Sequence, residues 1–349
     1  MKKAFVSAVL ALLFLSCGTT GPAATGKAPL WVTNPQDAYP DSDWLCVVET
    51  GRDRITAENA ALNALAQTFR LDVQGITRAN QVLVSKVQQS RGKENSDAER
   101  IGTLAMEITT VSEVSGLIGV QRDFWTDSRS GQVYASARMQ RAEGAARYGA
   151  LIQENEKLIE TLKASAKRTS GTFAAYENLS LAAGVAELTD NFYVILGVLS
   201  PGTVIQRPAY GNAEAIRSSL REEAALIVIQ VRVAGDVDSR LSKAFASVFS
   251  KRGFKTSAAL SAASGGYTLS ADFKMEDAPV TDSRYQYTRF VLTASLTDKD
   301  GAALLSFSET NREGHVTQNE ARQRAIRSAE TLITEGEFVR EFDAYLGSL

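Results

Sequence analysis

The sequence predicts an α+β fold: two α/β sandwich-like lobes with mixed or antiparallel sheets, joined by a helical segment. Three observations lead there. Between residues 29 and 142 a strand and an alanine-rich helix precede several short strands separated by turn residues. Between 143 and 222 leucines recur at helical spacing. From 223 to 349 an apolar run, an amphipathic helix, more strand-like stretches and a closing helix follow in turn. The 349 residues suffice for two cores of ordinary size.

Composition excludes several classes. Apolar residues make up 44% and charged residues 22%, close to globular averages. The net charge is −2 and the basic runs are pairs such as Lys167-Arg168 and Lys251-Arg252, so there is no electrostatic footprint for nucleic acid. Two cysteines and one histidine leave no disulfide scaffold and no Cys/His zinc site. No cofactor or metal is expected.

The N-terminus reads as an address and an anchor. Lys2 and Lys3 precede an apolar run from Ala4 to Leu15, broken only by Ser7, and then Ser16, Cys17 and Gly18. A charged start, a short apolar stretch and small residues mark an export signal over 1–16. The run falls short of the roughly 20 residues that cross a bilayer. Leu15-Ser16-Cys17-Gly18 resembles the bacterial lipobox, with Phe14 where Leu, Val or Ile is usual, and this makes Cys17 the lipidated first residue of the mature chain. Each buried methylene contributes about 0.8 kcal/mol and one chain alone binds marginally, so several acyl chains anchor stably. Losing Lys2 and Lys3 makes the mature chain two charges more acidic. The lipid, not the protein surface, must then hold the membrane. Residues 17–28, rich in Gly, Thr, Ala and Pro, read as a flexible tether.

In the first lobe, 29–142, Pro29-Leu30-Trp31-Val32 opens the ordered part, and Trp44 to Thr50 reads as a buried strand closed by Gly51. The next helix takes Thr56 as N-cap and places Leu62, Leu65 and Phe69 on one face. Val82, Val84 and Val87 read as extended, Gln88 to Arg100 as a polar excursion, and Ile108 to Ser112, Leu117 to Trp125 and Gln132 to Met139 as strands. Asp127 to Gly131 is turn chemistry. Cys46, in the run Trp44 to Val48, reads as a small buried strand residue, since no base lies near it in sequence.

These residues carry a resemblance. The opening Pro29-Leu30-Trp31-Val32, the strand ending in Gly51, the helix Glu58 to Leu65 and the hairpin from Trp125 through Gly131-Gln132-Val133-Tyr134 to Met139 resemble the Lpp-twenty family of bacterial envelope lipoproteins. The resemblance covers about the first 140 residues. It implies a lipid-anchored envelope location and brings no catalytic residues with it. The long polar stretch Gln88 to Arg100 departs from the family pattern.

The middle segment, 143–222, reads as a helical connector. Ala145 to Lys167 carries Leu151, Leu158 and Leu162 at helical spacing, and Gly171 to Leu199 is mostly helical, with Phe192 to Leu196 open to a strand reading. Ser200-Pro201-Gly202 ends it. In the last lobe, 223–349, Ala225 to Val231 fits a central strand buried on both faces. A helix from Ser239 to Arg252 has Leu241, Ala244, Phe245, Val248 and Phe249 on one stripe and Gly253 as its stop. Tyr267 to Met275 is a strand, and Tyr287 to Leu296 with Ala303 to Glu309 forms a hairpin. One helix from Gln318 to Leu346 presents Ala325, Ala329, Leu332 and Val339 to the sheet. The order is β-α-β-β-β-α, which also recurs in envelope lipoproteins that activate penicillin-binding proteins, a likeness of fold alone.

Few residues point to chemistry. Asp236-Val237-Asp238 after a strand could hold Mg²⁺, but the plainer reading has Asp238 capping the next helix and Asp236 facing water. Asp298-Lys299-Asp300-Gly301 fails as a calcium loop, because Leu296 and Phe307 fall at its first and twelfth positions; it reads as a hairpin turn. His315 reads as a surface or loop residue with no nucleophile nearby in sequence. No nucleophile elbow, phosphate loop, dinucleotide fingerprint or zincin helix is present.

Two functions follow as expectations. The favoured one is a non-enzymatic lipoprotein of the cell envelope, held at the membrane by lipid and binding or positioning an envelope protein or peptidoglycan. Gly18, rather than Asp, follows the cysteine, which by resemblance to enteric sorting rules implies outer-membrane delivery. The alternative is an anchored hydrolase or carbohydrate-binding protein using dispersed carboxylates, Asp236 and Asp238 among them, with Trp125 and Tyr134 stacking on sugars.

Overall fold

The computed structural model describes residues 27–69, 117–257, 266–278 and 284–349. Cys17, the leader 1–16, the extended stretch at Val82 to Val87, the polar excursion Gln88 to Arg100 and the strand at Ile108 to Ser112 lie outside them. The fold is α+β with two sheets. The chain divides into two compact units, Met1–Leu65 with Gln121–Arg138, and Ala66–Val120 with Met139–Leu349.

The first unit begins with two short helical turns, α1 (Leu30–Thr33) and α2 (Pro35–Ala38), with Trp31 buried. Strand β1 (Trp44–Gly51) leads to helix α3 (Arg54–Thr68). The helix starts two residues before the expected cap. Asp53 caps it instead: its carboxylate accepts from the Thr56 amide at 2.8 Å, so Thr56 is a recipient of capping. Leu62, Leu65 and Phe69 are buried, as their spacing predicts. Strands β2 (Gln121–Thr126) and β3 (Val133–Gln140) form the expected hairpin, Trp125 opposite Tyr134, and the sheet order is β1-β3-β2. The Asp127 carboxylate ties the turn by accepting from the Arg129 amide and the Ser130 hydroxyl.

In the second unit, α4 (Arg141–Arg168) and α5 (Phe173–Leu199) pack side by side as a helical hairpin. Phe192 to Leu196 is helical, so the strand reading for that run is excluded. Leu151, Leu158 and Leu162 are buried, and the buried Asn155 amide donates to the Thr189 hydroxyl at 3.0 Å. By length and composition α5 could cross a bilayer, but half of its most apolar stretch is buried inside the protein. Helix α6 (Ala213–Ala224) packs on α5, and its buried Glu223 accepts from Ser170 and Gly171 at the tip of the hairpin.

A five-stranded mixed sheet follows: β4 (Val228–Ala234), β5 (Lys255–Ser257), β6 (Tyr267–Asp277), β7 (Gln286–Thr297) and β8 (Ala303–His315), in the order β5-β4-β6-β7-β8. Strand β4 runs parallel to β5 and β6, and the remaining pairs are antiparallel. The short β5 was not anticipated. Helix α7 (Arg240–Ser250) buries the expected stripe, and Gly253 turns the chain at φ +85°. The closing helix is two helices, α8 (Gln318–Thr334) and α9 (Glu337–Gly347), separated at Glu335–Gly336. The break redirects the chain so that Phe338, Phe342 and Leu346 of α9 enter the core beside Ala325 and Ala329 of α8.

Strand β4 also departs from expectation. Only Ile229 is fully buried on it; Val231 and Val233 line the core, while Gln230 and Arg232 point away. Ala225 to Ile227, the start of the apolar run, precede the strand. The sheet therefore packs its core on one face, formed by Ile229, Leu269, Phe273, Phe290, Leu292 and Phe307 with the stripes of α7, α8 and α9.

Candidate functional site

The residues singled out from sequence are mostly engaged in holding the fold. The aspartates after β4 exchange their expected roles. Asp236 does not face water: its carboxylate accepts from the Leu241 and Ser242 amides, each at 2.9 Å, and from the Ser242 hydroxyl at 2.5 Å. It caps α7 from outside the first turn. Asp238 does not cap; it and Ser239 adopt left-handed backbone, φ +56° each, and this lets the chain swing Asp236 over the helix end. Asp298 turns its hairpin by accepting from the Asp300 and Ala302 amides.

Trp125 is 7% exposed, with its ring 5.6 Å from that of Tyr134. The pair is a cross-strand contact within the hairpin, and a sugar cannot stack on a ring so buried. Cys46 sits on β1 but is half-buried rather than buried, and burial, opposed by Arg138, pushes its thiol pKa up. That is the reverse of an activated thiolate. His315 ends β8 opposite Gln286, because the strand runs six residues beyond its expected end. Among the described residues no three His, Cys, Asp or Glu side chains are placed to hold a metal.

The feature that sequence reading missed is the second face of the five-stranded sheet. Register fixes its rows. Arg232, Ser270, Ser295 and Ser306 stand across β4, β6, β7 and β8; Asp272, Thr293 and Ser308 form the next row, and Lys274, Val291 and Thr310 the next. Then come Glu276, Arg289 and Arg312, and finally Tyr287 opposite Gly314. Neighbouring strands lie about 4.8 Å apart and successive rows about 7 Å apart. Ser270, Thr293, Ser306, Ser308, Thr310, Arg289 and Arg312 are exposed. The face is thus a ladder of hydroxyls ending in two arginines.

The end of the ladder is shaped by one ring. The Tyr287 ring fills the space beside Gly314, and the Arg312 guanidinium stands 4.8 Å from the centre of the same ring. Lys274 pairs with Asp272 at 2.5 Å, and Arg232 donates to Gln230 at 2.8 Å. Arg289 and Arg312 have no carboxylate within 4.0 Å among the described residues, although Glu276 is the cross-strand neighbour of Arg289. The period-two alternation Tyr287, Arg289, Val291, Thr293 against Thr288, Phe290, Leu292, Ala294 is the sequence signal that could have exposed this face.

A recess of about 330 Å³ lies elsewhere, lined by Glu313, Arg324, Arg327, Ser328, Thr331 and Leu332. Its arginines are already committed: Arg327 pairs with Glu320, and Arg324 donates to the Gly314 carbonyl at 3.3 Å. The open face is therefore the better candidate.

No family model matches the chain. No curated protein matches it either. The resemblance to the Lpp-twenty family thus rests on the residues that carry it. Among solved structures the chain is similar to the minor lipoprotein from Acinetobacter baumannii, with 12% identity and a TM-score of 0.25, covering 35% of this chain and 92% of that one. It is also similar to the secreted protein HP1454 from Helicobacter pylori, with 10% identity and a TM-score of 0.38, covering 84% and 99%.

Proposed function

We propose that this chain is a lipid-anchored lipoprotein of the bacterial cell envelope, of the Lpp-twenty kind in its first lobe, that performs no catalysis and positions another envelope component. The observation that carries the reading is the N-terminal order Lys2-Lys3, apolar run, Leu15-Ser16-Cys17-Gly18. Cys17 takes the lipid, residues 17–28 give the folded body reach, and Gly18 allows passage to the outer membrane. The open face of the β4–β8 sheet is the surface offered to the partner. The hydrolase alternative loses its best carboxylate, because Asp236 is spent on capping α7.

Intact mass of the chain isolated from its native host tests the anchor. The expected mature chain begins at Cys17 and carries acyl groups, and Cys17→Ser releases it from the membrane fraction. A mature chain without acyl groups, or one retaining residues 1–16, overturns the reading. Crosslinking in intact cells, with Cys17→Ser beside unaltered protein, tests the partner: the anchored form captures an envelope component, and capture of none counts against the positioning role.

A further inference from the structure

We propose that the open face of the β4–β8 sheet binds a carboxylated glycan strand, whose carboxylates seat at Arg289 and Arg312 and whose hydroxyls run along the serine and threonine rows. The inference rests on the envelope reading above, since the glycan must lie within reach of an anchored body.

The arginines are the first argument. Arg289 and Arg312 stand directly opposite each other on adjacent strands. Like charges in that position oppose each other and destabilise a sheet. Elsewhere in this unit arginines close onto carboxylates: Arg240 on Glu330, Arg252 on Asp343, Arg322 on Asp277. This pair does not, even with Glu276 beside Arg289. A planar guanidinium presents donors in a fork that matches a carboxylate in bidentate fashion, and two forks side by side match an anionic ligand.

The rest of the face decides what kind of anion. A protein partner needs an apolar or aromatic anchor at the centre of its interface. Among the described residues the apolar side chains amid the rows are the half-buried Val291 and the small Ala234 opposite Asp272, and the Tyr287 ring is taken up by Gly314 and Arg312. What the face does offer is hydroxyls, from Ser270, Ser295, Ser306, Thr293, Ser308 and Thr310. Each donates one hydrogen bond and accepts others, the same capacity as a sugar hydroxyl. An extended polymer of hydroxyls punctuated by carboxylates is complementary to that surface, and peptidoglycan is such a polymer, its carboxylates carried on the stem peptides that branch from the glycan.

Co-sedimentation of the full-length chain, in mild detergent, with purified peptidoglycan sacculi tests this. The unaltered protein should pellet. Arg289→Gln with Arg312→Gln should weaken pelleting about tenfold or more, the loss expected for charged hydrogen bonds, while Lys167→Gln with Arg168→Gln, an exposed basic pair on α4, stays within about twofold of the unaltered protein. Failure of the unaltered chain to pellet overturns the proposal, and so does a double variant that pellets undiminished. An equal loss in the Lys167→Gln, Arg168→Gln variant overturns it too, because net charge alone would then be read. If the double variant unfolds, Arg289→Lys with Arg312→Lys takes its place: it keeps the charge and loses the fork, so binding falls, and full retention overturns the proposal. Intact mass of the same preparation separates the two readings. An acylated chain that does not pellet sinks the glycan proposal and leaves the anchor standing; an unacylated chain that pellets does the reverse.

Discussion

The ring of Tyr287 occupies the space that a side chain at Gly314 would need. A methyl group there would stand 2.6 Å from Cε1 and 2.8 Å from Cδ1 of the ring. The two residues are cross-strand partners at the end of β7 and β8, and the guanidinium of Arg312, two residues before Gly314, stands 4.8 Å from the centre of the ring. An aromatic ring laid over a strand glycine shields the exposed backbone and pins register.

Gly314→Ala should therefore destabilise the protein by about 1–3 kcal/mol, the usual cost of overpacking, by displacing the ring. The same change made in a Tyr287→Ser background should cost much less, because the clash is gone and the two substitutions are coupled. Urea denaturation of the four proteins measures the coupling. Equal costs in both backgrounds would show that the ring does not constrain Gly314.

Asp236 and Asp238 separate in the same assay. Asp236→Ala removes an acceptor from two amides and a hydroxyl at the start of α7 and should cost about 1–2 kcal/mol. Asp238→Gly should be neutral or stabilising, because glycine adopts the left-handed backbone found there without penalty. Reversal of that order would restore the role assigned to Asp238 by its position one residue before Ser239.

That exchange shows where local reading stops. The stripe Leu241, Ala244, Phe245, Val248 and Phe249, the turn at Asp298 to Gly301 and the hairpin of Trp125 with Tyr134 are legible because each is decided within a few residues by periodicity or turn chemistry. Asp236 reaches five and six residues ahead, and only the left-handed pair Asp238-Ser239 makes that reach possible. The division of the last helix was hidden because Leu332 and Val339 keep the phase of Ala325 and Ala329 across Glu335-Gly336, whereas the buried Phe338 and Phe342 fall out of that phase and reach the core only through the break. The open face was hidden for a different reason. Arg289 and Arg312 lie 23 positions apart, and only the register of β7 on β8 brings them together.

Tyr193 anchors a polar cluster on the helical hairpin. Its hydroxyl donates to Glu156, Arg207 stands 4.5 Å from its ring centre and pairs with Asp190 at 3.0 Å, and Asp190 also accepts from the Ala213 amide at the start of α6. Burial, then the Glu156 carboxylate, holds the Tyr193 pKa well above its ordinary 10.0, and burial pushes Tyr345 up to about 12. The sign follows. The folded state holds these protons more tightly than the unfolded chain, so their contribution is complete below pH 10 and is lost as pH rises toward the folded values. Stability should fall steeply above pH 10. Tyr193→Phe should cost about 1–2 kcal/mol at pH 7 through the unpaired Glu156 and make that alkaline fall shallower. Chemical denaturation between pH 8 and 11.5 reads both, and an unchanged alkaline slope would remove Tyr193 from the account.

Glu341 of α9 gives the acid counterpart. Its Oε2 atom is buried without a hydrogen-bond partner. Burial first, then Glu337 and Glu309, raises its pKa above 4.5, while the nearby Arg340 is spent on Glu337. A carboxyl with a raised folded pKa binds its proton more tightly in the native state, so acidification through that pKa adds stability until the unfolded value near 4.5 is reached. Glu341→Gln removes the charge without removing the side-chain volume. It should raise stability by about 1 kcal/mol at pH 7, where the unaltered residue is ionised and poorly solvated, and change little at pH 4, where both side chains are neutral. Melting temperatures of the two proteins across pH 4 to 8 should thus diverge as pH rises. A constant difference across that range would mean that the substitution acts through packing and that Glu341 does not titrate with folding.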